Sequence, residues 1–186
     1  MTTSVYTLDQ FVIDAQEIAA QRLQSDAAIA ALTGPLARII ARPDCLADFA
    51  GNDDPSPEKG FVIHRSETLT ALAVVWAEGS SAPIHDHHGW AMEGVVAGVE
   101  LNRNYTRVDD GSKPWFAELE ERDPTRLGAG ETTYLADPPA DIHAVEIPEG
   151  KTVAIHLYGL DLLKQWRFRF DQETGAVTPF IGRTRD

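Results

Sequence analysis

Residues 83–90 read Pro-Ile-His-Asp-His-His-Gly-Trp, and this stretch holds three of the six histidines in the chain. In an extended strand, successive side chains point to opposite faces, so His85 and His87 would project the same way. Two imidazoles on one face can share a divalent metal, and a third ligand from another strand would complete the set. His143 is the candidate third ligand. The alternative is a pair of core or solvated histidines, because a His-x-His spacing alone is common.

The residues that precede these histidines favour the metal site. Gly79 lies six residues before His85, and Pro138 lies five residues before His143. The two segments resemble the conserved blocks of the cupin superfamily, G-x5-H-x-H and P-x-G-x-x-H, which carry metal ligands on facing strands of a small β-barrel. Ala140 stands where the second block has glycine.

The first block also departs from the superfamily pattern at its acidic ligand. Met92 stands at the position where the fourth ligand is usual, and Glu93 is one residue out of register. A shift of one residue on a regular strand turns a side chain to the other face. The sequence therefore predicts a three-histidine site, with Glu93 as the alternative fourth ligand.

Length, charge and cysteine content restrict the class of protein. A chain of 186 residues is one ordinary domain with room for a core. A net charge of -13 argues against nucleic acid or an anionic membrane surface as a partner. The sequence contains no apolar run long enough to cross a bilayer and no signal-peptide pattern. The single Cys45 cannot form an internal disulfide, so we expect a protein of a reducing, cytoplasmic compartment.

The first 50 residues have a helical pattern. Apolar residues recur at three- and four-residue spacings, and Thr7 with Gln10 predicts a capping box at the start of the first helix. A second helix is expected after Ser25, with a break or restart at Gly34-Pro35. A short third turn is expected from Asp44, and residues 51–57 have the composition of a loop.

From about residue 61 the pattern is that of strands. Short apolar, β-branched runs alternate with turn signals, which favours a barrel or sandwich over alternating strands and helices. The expected strands include residues 72–76, 94–101, 132–135, 143–147, 153–158, 166–170 and 177–180. With the resemblance to cupins, this predicts a mainly β, single-domain protein of residues 1–186. Its double-stranded β-helix (jelly-roll) barrel would span residues 61–186, under a helical N-terminal cap of residues 1–50.

A second pair of polar residues lies near the end of the chain. His156 and Tyr158 are two residues apart and would share a face of their strand. If that strand neighbours the metal strands, an imidazole and a phenol would point into the metal cavity, where they could bind or orient a substrate. The alternative is an ordinary inward-facing pair that fills the barrel.

Taken together, these motifs resemble a more specific family, the cysteine dioxygenase group of thiol dioxygenases. The Trp90-containing form is closer to the bacterial 3-mercaptopropionate dioxygenase branch. The residues that carry the resemblance are His85-Asp86-His87, Trp90, Gly94, Gly98, Glu100, Ile142-His143-Ala144-Val145-Glu146 and Ile155-His156-Leu157-Tyr158-Gly159.

The resemblance implies an activity and a role for each matched residue. In that family Fe(II) is held by three histidines, and both atoms of O2 are added to the sulfur of a small thiol to give a sulfinate. By position, His85, His87 and His143 would be the iron ligands, and His156 and Tyr158 would be the polar pair beside the metal. The family's serine–histidine–tyrosine series is interrupted by an alanine at position 154. No cysteine at position 92 is available for the thioether crosslink of the mammalian-type enzymes.

A thiol substrate with a carboxylate also needs a cation and a pocket. Arg167 lies nine residues after Tyr158, at the offset where the 3-mercaptopropionate branch has its carboxylate-binding arginine. Arg65 resembles the arginine of the cysteine-specific branch, although its spacing to His85 is shorter here. A guanidinium can bind a carboxylate through two hydrogen bonds, but Arg65 and Arg167 could instead be surface charges. Met92 is expected to contact the substrate, and Trp90 is expected to line the substrate pocket or to belong to the core.

We therefore expect an oxidoreductase that uses Fe(II), O2 and a small thiol carboxylate. The same imidazoles would also accept nickel, zinc or manganese. Two alternatives remain at this point: a three-histidine dioxygenase that cleaves a carbon–carbon bond, as in β-diketone dioxygenases, and a metal-binding cupin without catalytic activity.

Overall fold

A computed structural model describes residues 5–51 and 59–182 of the protein. Its helices and strands are α1 (Leu8–Ala20), α2 (Ser25–Ile40), α3 (Ala47–Ala50), β1 (Lys59–Arg65), β2 (Thr70–Trp76), β3 (Ser81–His85), β4 (Ala91–Ala97), β5 (Val99–Arg107), β6 (Leu119–Glu121), β7 (Thr125–Gly128), β8 (Thr132–Leu135), β9 (Ile142–Glu146), β10 (Thr152–Tyr158), β11 (Trp166–Phe170) and β12 (Val177–Ile181). Most of the expected loop at 51–57 lies outside the described residues. Among the helices described, none is long and apolar enough to cross a membrane.

The strands form two antiparallel sheets with the order of a jelly roll. One sheet has the order β1-β2-β10-β4-β8, and the other contains β12-β11-β3-β9-β5 with β6 and β7 both paired to β5. Eight of these strands form the barrel, and they can be numbered one to eight in chain order: β2, β3, β4, β5, β7, β8, β9 and β10. In that numbering the strand order is 1-8-3-6 in one sheet and 2-7-4-5 in the other. This is the order of a double-stranded β-helix, in which two Greek keys close a barrel. The expected fold class, mainly β with helices at the N-terminus, is confirmed.

The helices pack on the outer face of the five-stranded sheet. Val153, Ile155 and Leu157 of β10 belong to the same buried cluster as the apolar residues of α1 and α2. The alternate residues His156 and Tyr158 point to the barrel interior, because side chains along a strand alternate between its faces. One strand therefore contributes to the core on one side and to the polar interior on the other.

The start of α1 agrees with the sequence prediction. The side-chain oxygen of Thr7 accepts a hydrogen bond from the backbone N–H of Gln10 at 3.2 Å. This satisfies one of the N–H groups that a helix start leaves without a partner.

The expected break in the second helix is wrong. Helix α2 continues through Pro35 to Ile40. Leu32, Leu36 and Ile39 are fully buried against the sheet. Burial of this stripe along both sides of the proline outweighs the one backbone hydrogen bond that proline removes.

A turn at Gly98 was not anticipated. Residues 94–101 were expected to form one strand, but β4 ends at Ala97 and β5 begins at Val99. Gly98 has a φ of +86°, and a Cβ there would lie 2.4 Å from the carbonyl oxygen of Lys151. Only glycine meets both conditions, so this residue allows β5 to leave the five-stranded sheet and join the other one.

Candidate metal centre

Three histidines meet inside the barrel, as the sequence predicts. The ring centroids of His85 and His87 lie 4.8 Å apart, those of His85 and His143 4.8 Å, and those of His87 and His143 5.0 Å. One nitrogen from each ring lies within 4.8 Å of the others. His87 and His143 are buried, whereas His85 is partly buried.

The histidines reach the site by different routes. His143 lies on β9, and His85 is the last residue of β3, which pairs with it in register. His87 was expected on the same strand as His85, but it lies in the irregular segment that follows. A buried carboxylate holds this segment, because Asp141 Oδ2 accepts hydrogen bonds from the backbone N–H groups of His87 and His88 at 3.3 and 2.8 Å.

Backbone and side-chain acceptors orient two of the rings. His85 Nδ1 lies 2.8 Å from the carbonyl oxygen of Pro83, and His143 Nδ1 lies 2.6 Å from Asn102 Oδ1. These oxygens can only accept, so each Nδ1 carries a proton and each Nε2 keeps a lone pair. A metal-ligating histidine is commonly oriented in this way through its other nitrogen.

The spacing of the nitrogens fits a divalent metal. At metal–nitrogen distances of about 2.1 Å, two nitrogens lie about 3.0 Å apart at a right angle and about 3.4 Å apart at the tetrahedral angle. His87 Nε2 and His143 Nε2 lie 3.0 Å apart. This pair can therefore bind a metal as right-angled ligands, and His85 could complete a facial set that leaves other positions open.

The environment keeps these rings neutral. Burial, and next the positive charge of Arg167, lower the pKa of His85 to about 3. Burial is also the main cause that lowers the pKa values of His87 and His143. The next largest cause for both is electrostatic repulsion from His85. Neutral imidazoles are the form that binds metals, so burial prepares the ligands at neutral pH.

A polar network lies behind His143, on the side away from its Nε2. Asn102 Nδ2 donates to Glu93 Oε2 at 2.7 Å and to Glu100 Oε1 at 3.2 Å. Burial, and next the charge of Glu100, raise the pKa of Glu93 to about 8. Burial also opposes ionisation of Glu100, but the adjacent His156 and several hydrogen bonds outweigh it and lower the pKa of Glu100. Glu93 is therefore the neutral partner of the pair and Glu100 the charged one.

Glu93 does not join the three histidines. Its Oε1 lies 3.6 Å from His143 Nδ1, the nitrogen on the far side of the ring from Nε2. The sequence argument that places Met92 and Glu93 on opposite faces agrees with the structure. Met92 packs in the cluster beneath the helices and lines none of the described cavities, so its expected contact with substrate is replaced by a place in the core.

The imidazole and phenol of β10 lie side by side next to the metal ligands. His156 Nδ1 lies 3.3 Å from the Tyr158 hydroxyl, and the Tyr158 ring lies 5.0 Å from that of His87. Ala154 provides no hydroxyl for His156. Instead, His156 Nε2 lies 3.4 Å from Glu100 Oε2, so a carboxylate is the group beside this ring nitrogen.

A cavity of about 300 Å³ opens onto this site. His85, Tyr158, Arg167, Arg169 and Phe180 are among the residues that line it. Arg167 is buried, and its Nη1 lies 3.3 Å from His87 Nδ1. A larger cavity of about 600 Å³ lies on the opposite face of β11, and none of the three histidines lines it.

Two other predicted substrate residues lie away from the cavity. Arg65 forms a two-pronged ion pair with Asp161, with distances of 2.7 and 3.3 Å. Trp90 packs in the cluster beneath the helices and against Gly159. Of the two candidate arginines, Arg167 is the one that the fold brings to the histidines.

Sequence reasoning missed Asn102 and Arg169. Asn102 lies two residues after Glu100, and Arg169 lies two residues after Arg167, so each shares a strand face with a residue that had been identified. The two-residue spacing from an identified residue is the sequence signal that could have found them.

Comparison with known proteins gives likeness of fold at low sequence identity. No family model matches the chain. A cupin superfamily protein from Desulfitobacterium hafniense is 13% identical, over 59% of this chain and 84% of its own length, with a TM-score of 0.44. A DMSP lyase from Ruegeria pomeroyi is 19% identical, over 64% of this chain and 54% of its own length, with a TM-score of 0.45.

The third comparison is with an oxalate decarboxylase from Bacillus subtilis, a protein with Mn(II) centres. It is 17% identical, over 63% of this chain and 29% of its own length, with a TM-score of 0.46. The strand order, and not these likenesses, identifies the fold. The structures that resemble this chain include double-stranded β-helix proteins of the cupin superfamily.

Proposed function

We propose that the protein is a non-haem Fe(II) thiol dioxygenase that oxidises a small thiol carboxylate to its sulfinate. The observation that carries the proposal is a single cavity lined by His85 of the three-histidine site, by Tyr158 and by Arg167. Bound by three neutral imidazoles, Fe(II) would keep its full charge and supply open positions for a thiolate and O2.

The reaction balances without a further reductant. A thiolate and one O2 give a sulfinate, because both oxygen atoms form bonds to sulfur and the O–O bond breaks. Sulfur loses four electrons and O2 gains them. The protein therefore has to bind the thiol, exclude water and provide hydrogen bonds, and it needs no second cofactor.

Tyr158 is suited to act on the oxidant or on the sulfur. Its hydroxyl can donate one hydrogen bond into the cavity when His156 Nδ1, 3.3 Å away, carries a proton and donates to the phenol oxygen. Because the ionised Glu100 accepts from His156 Nε2–H, this arrangement requires the imidazolium form of His156. Glu100 fixes the other side of the His156 ring. A hydrogen bond aimed at developing negative charge in a buried site stabilises the transition state, and the series Glu100–His156–Tyr158 holds that donor in place.

Arg167 is suited to bind the substrate carboxylate. Its contact with His87 Nδ1 requires a lone pair on that nitrogen, because a guanidinium can only donate. A metal on His87 Nε2 would require the proton on Nδ1 instead. Arg167 could then direct its N–H donors at a carboxylate in the cavity, which offers two oxygens in matching geometry.

Oxygen uptake with product analysis tests the proposal. Protein reconstituted with Fe(II) is given 3-mercaptopropionate, cysteine or acetylacetone, and protein loaded with Ni(II), Zn(II) or Mn(II) serves as the comparison. We expect one O2 consumed per sulfinate formed with a thiol and iron. Carbon–carbon cleavage products would point to the β-diketone alternative, and absence of turnover would leave only a metal-binding protein.

Tyr158→Phe tests the role of the hydroxyl. We expect this variant to keep its iron and to lose at least roughly tenfold in turnover. Tyr134→Phe is the matched control, because Tyr134 is 58% exposed and lies outside the cavity. Equal turnover in the wild type and Tyr158→Phe would contradict the role given to this hydroxyl.

A further inference from the structure

The cavity beside the histidines contains a second guanidinium that the proposed function does not use. Arg167 and Arg169 lie two residues apart on β11, so their side chains leave the strand on the same face. Both line the 300 Å³ cavity, together with His85 and Tyr158. In the register of the sheet, Arg169 lies directly opposite His85.

One aromatic ring holds the two arginines together. The guanidinium carbons of Arg167 and Arg169 each lie 4.6 Å from the centroid of the Phe180 ring. Contact with the face of an aromatic ring stabilises a guanidinium without using its N–H donors. The donors of Arg169 are thus left to face solvent or a ligand at the mouth of the cavity.

Within the part of the chain that the structure describes, Arg169 lacks the carboxylate partner that five other arginines of the protein have. Arg42, Arg65, Arg103, Arg107 and Arg126 all form ion pairs with nearby carboxylates. Among the described residues, Arg169 has no acidic partner within ion-pair distance. In a chain with a net charge of -13, two guanidiniums in one small cavity are a local exception that favours a negatively charged ligand.

We propose that the substrate of this site carries two anionic groups, one bound by Arg167 and the other by Arg169. The inference rests on the proposed function, and it narrows the substrate from a thiol monocarboxylate to a thiol with two acidic groups. The cavity volume, at the lower limit for ligand pockets, restricts the molecule to a short carbon chain. The apolar lining that includes Leu72, Leu162 and Ile181 would contact that chain.

Calorimetric titration without O2 tests the preference separately from turnover. Metal-loaded protein is titrated with succinate and, separately, with butyrate, which has the same chain length and one carboxylate. We expect succinate to bind roughly tenfold more tightly, because a second charge-assisted contact is added. Equal affinities for succinate and butyrate would overturn the proposal.

Two variants assign the effect to Arg169. Arg169→Gln should reduce succinate affinity to that of butyrate, and Arg169→Lys should restore part of the preference. Arg126→Gln is the matched control, since it also removes one positive charge, at an exposed ion pair with Glu149. Loss of the preference in Arg126→Gln to the same extent, or its survival in Arg169→Gln, would contradict the inference.

The two proposals can fail separately. A succinate preference that depends on Arg169, with no sulfinate from any thiol, supports the dianion site and refutes the oxygenase. Sulfinate formation from thiols with equal binding of succinate and butyrate supports the oxygenase and refutes the dianion site.

Discussion

Asn102 Oδ1 accepts a hydrogen bond from His143 Nδ1 at 2.6 Å, and its amide group donates to Glu93 and Glu100 on the other side. One amide therefore connects a candidate metal ligand to a buried carboxylate pair. The orientation of Asn102 is fixed by this arrangement, because only its oxygen can accept from the imidazole and only its nitrogen can donate to the carboxylates.

Replacing Asn102 should weaken metal binding. Asn102→Ala removes the acceptor that sets the proton of His143 on Nδ1, and loss of such a partner reduces metal affinity by about 10–100-fold. A competition titration with a chromophoric chelator measures the change. Asn104→Ala on the same strand, whose amide contacts Thr125 instead, should leave the affinity nearly unchanged. Equal affinity in Asn102→Ala and the wild type would show that His143 needs no such partner.

His143→Ala should abolish stoichiometric metal binding, because it leaves two imidazoles where three are required. His88→Ala is the control, since His88 is adjacent to a ligand in sequence but pairs with Asp86. Metal content after dialysis distinguishes the two variants. Full metal content in His143→Ala would contradict the three-histidine site.

Glu93→Gln should change how stability depends on pH above neutrality. A carboxyl with a raised pKa stabilises the fold when protonated and loses that contribution as pH rises through its folded value, here about 8. This loss begins above the unfolded value of 4.5 and ends just above the folded value, so the free energy of unfolding of the wild type should still be falling between about pH 7 and about pH 9. Glutamine stays neutral, so Glu93→Gln should remove much of this fall.

Urea unfolding at both pH values measures this difference, with Glu118→Gln as the control at an exposed glutamate. The buried histidines act with the opposite sign and at lower pH. Their lowered pKa values stabilise the fold as pH rises toward about 6.5, so they oppose the effect of Glu93 below that pH and add no further change between about pH 7 and about pH 9. An identical fall in Glu93→Gln and the wild type would contradict the neutral state of Glu93.

Gly98→Ala should destabilise the protein by about 3 kcal/mol or more, because the new Cβ adds a clash with Lys151 to the strain of a positive φ. Gly130→Ala is the matched control. Gly130 has a similar φ of +85° but no atom within 4 Å of the added Cβ, so about 1 kcal/mol is expected. Thermal unfolding compares the two. Equal losses would show that the close approach to Lys151 contributes nothing.

The sequence predicts the three ligands because each lies in a short motif with a fixed spacing. The strands that contain His143 and Tyr158 were also predictable, because each is a short run of apolar residues bounded by turn residues in the sequence. The period of two separated Met92 from Glu93 correctly, and the structure places Met92 in the core and Glu93 in the barrel.

What could not be predicted depends on residues far apart in the chain. Helix α2 passes Pro35 because a sheet lies beneath it, and no local pattern contains that sheet. The choice between Arg65 and Arg167 depends on Asp161, which engages Arg65 outside the cavity. The contact of Asn102 with His143 spans 41 residues and is set by the pairing of β5 with β9.

The alternation along β4 has a consequence for how this chain can change. Met92 anchors the helices, and the next residue, Glu93, belongs to the polar network behind the metal ligands. Deleting one residue before this pair would exchange the two sides, placing a thioether beside the imidazoles and a carboxylate under the helices. Single residues of β4 can be substituted one at a time. A shift of the strand by one residue would instead remove the core contact of Met92 and the polar contacts of Glu93 together.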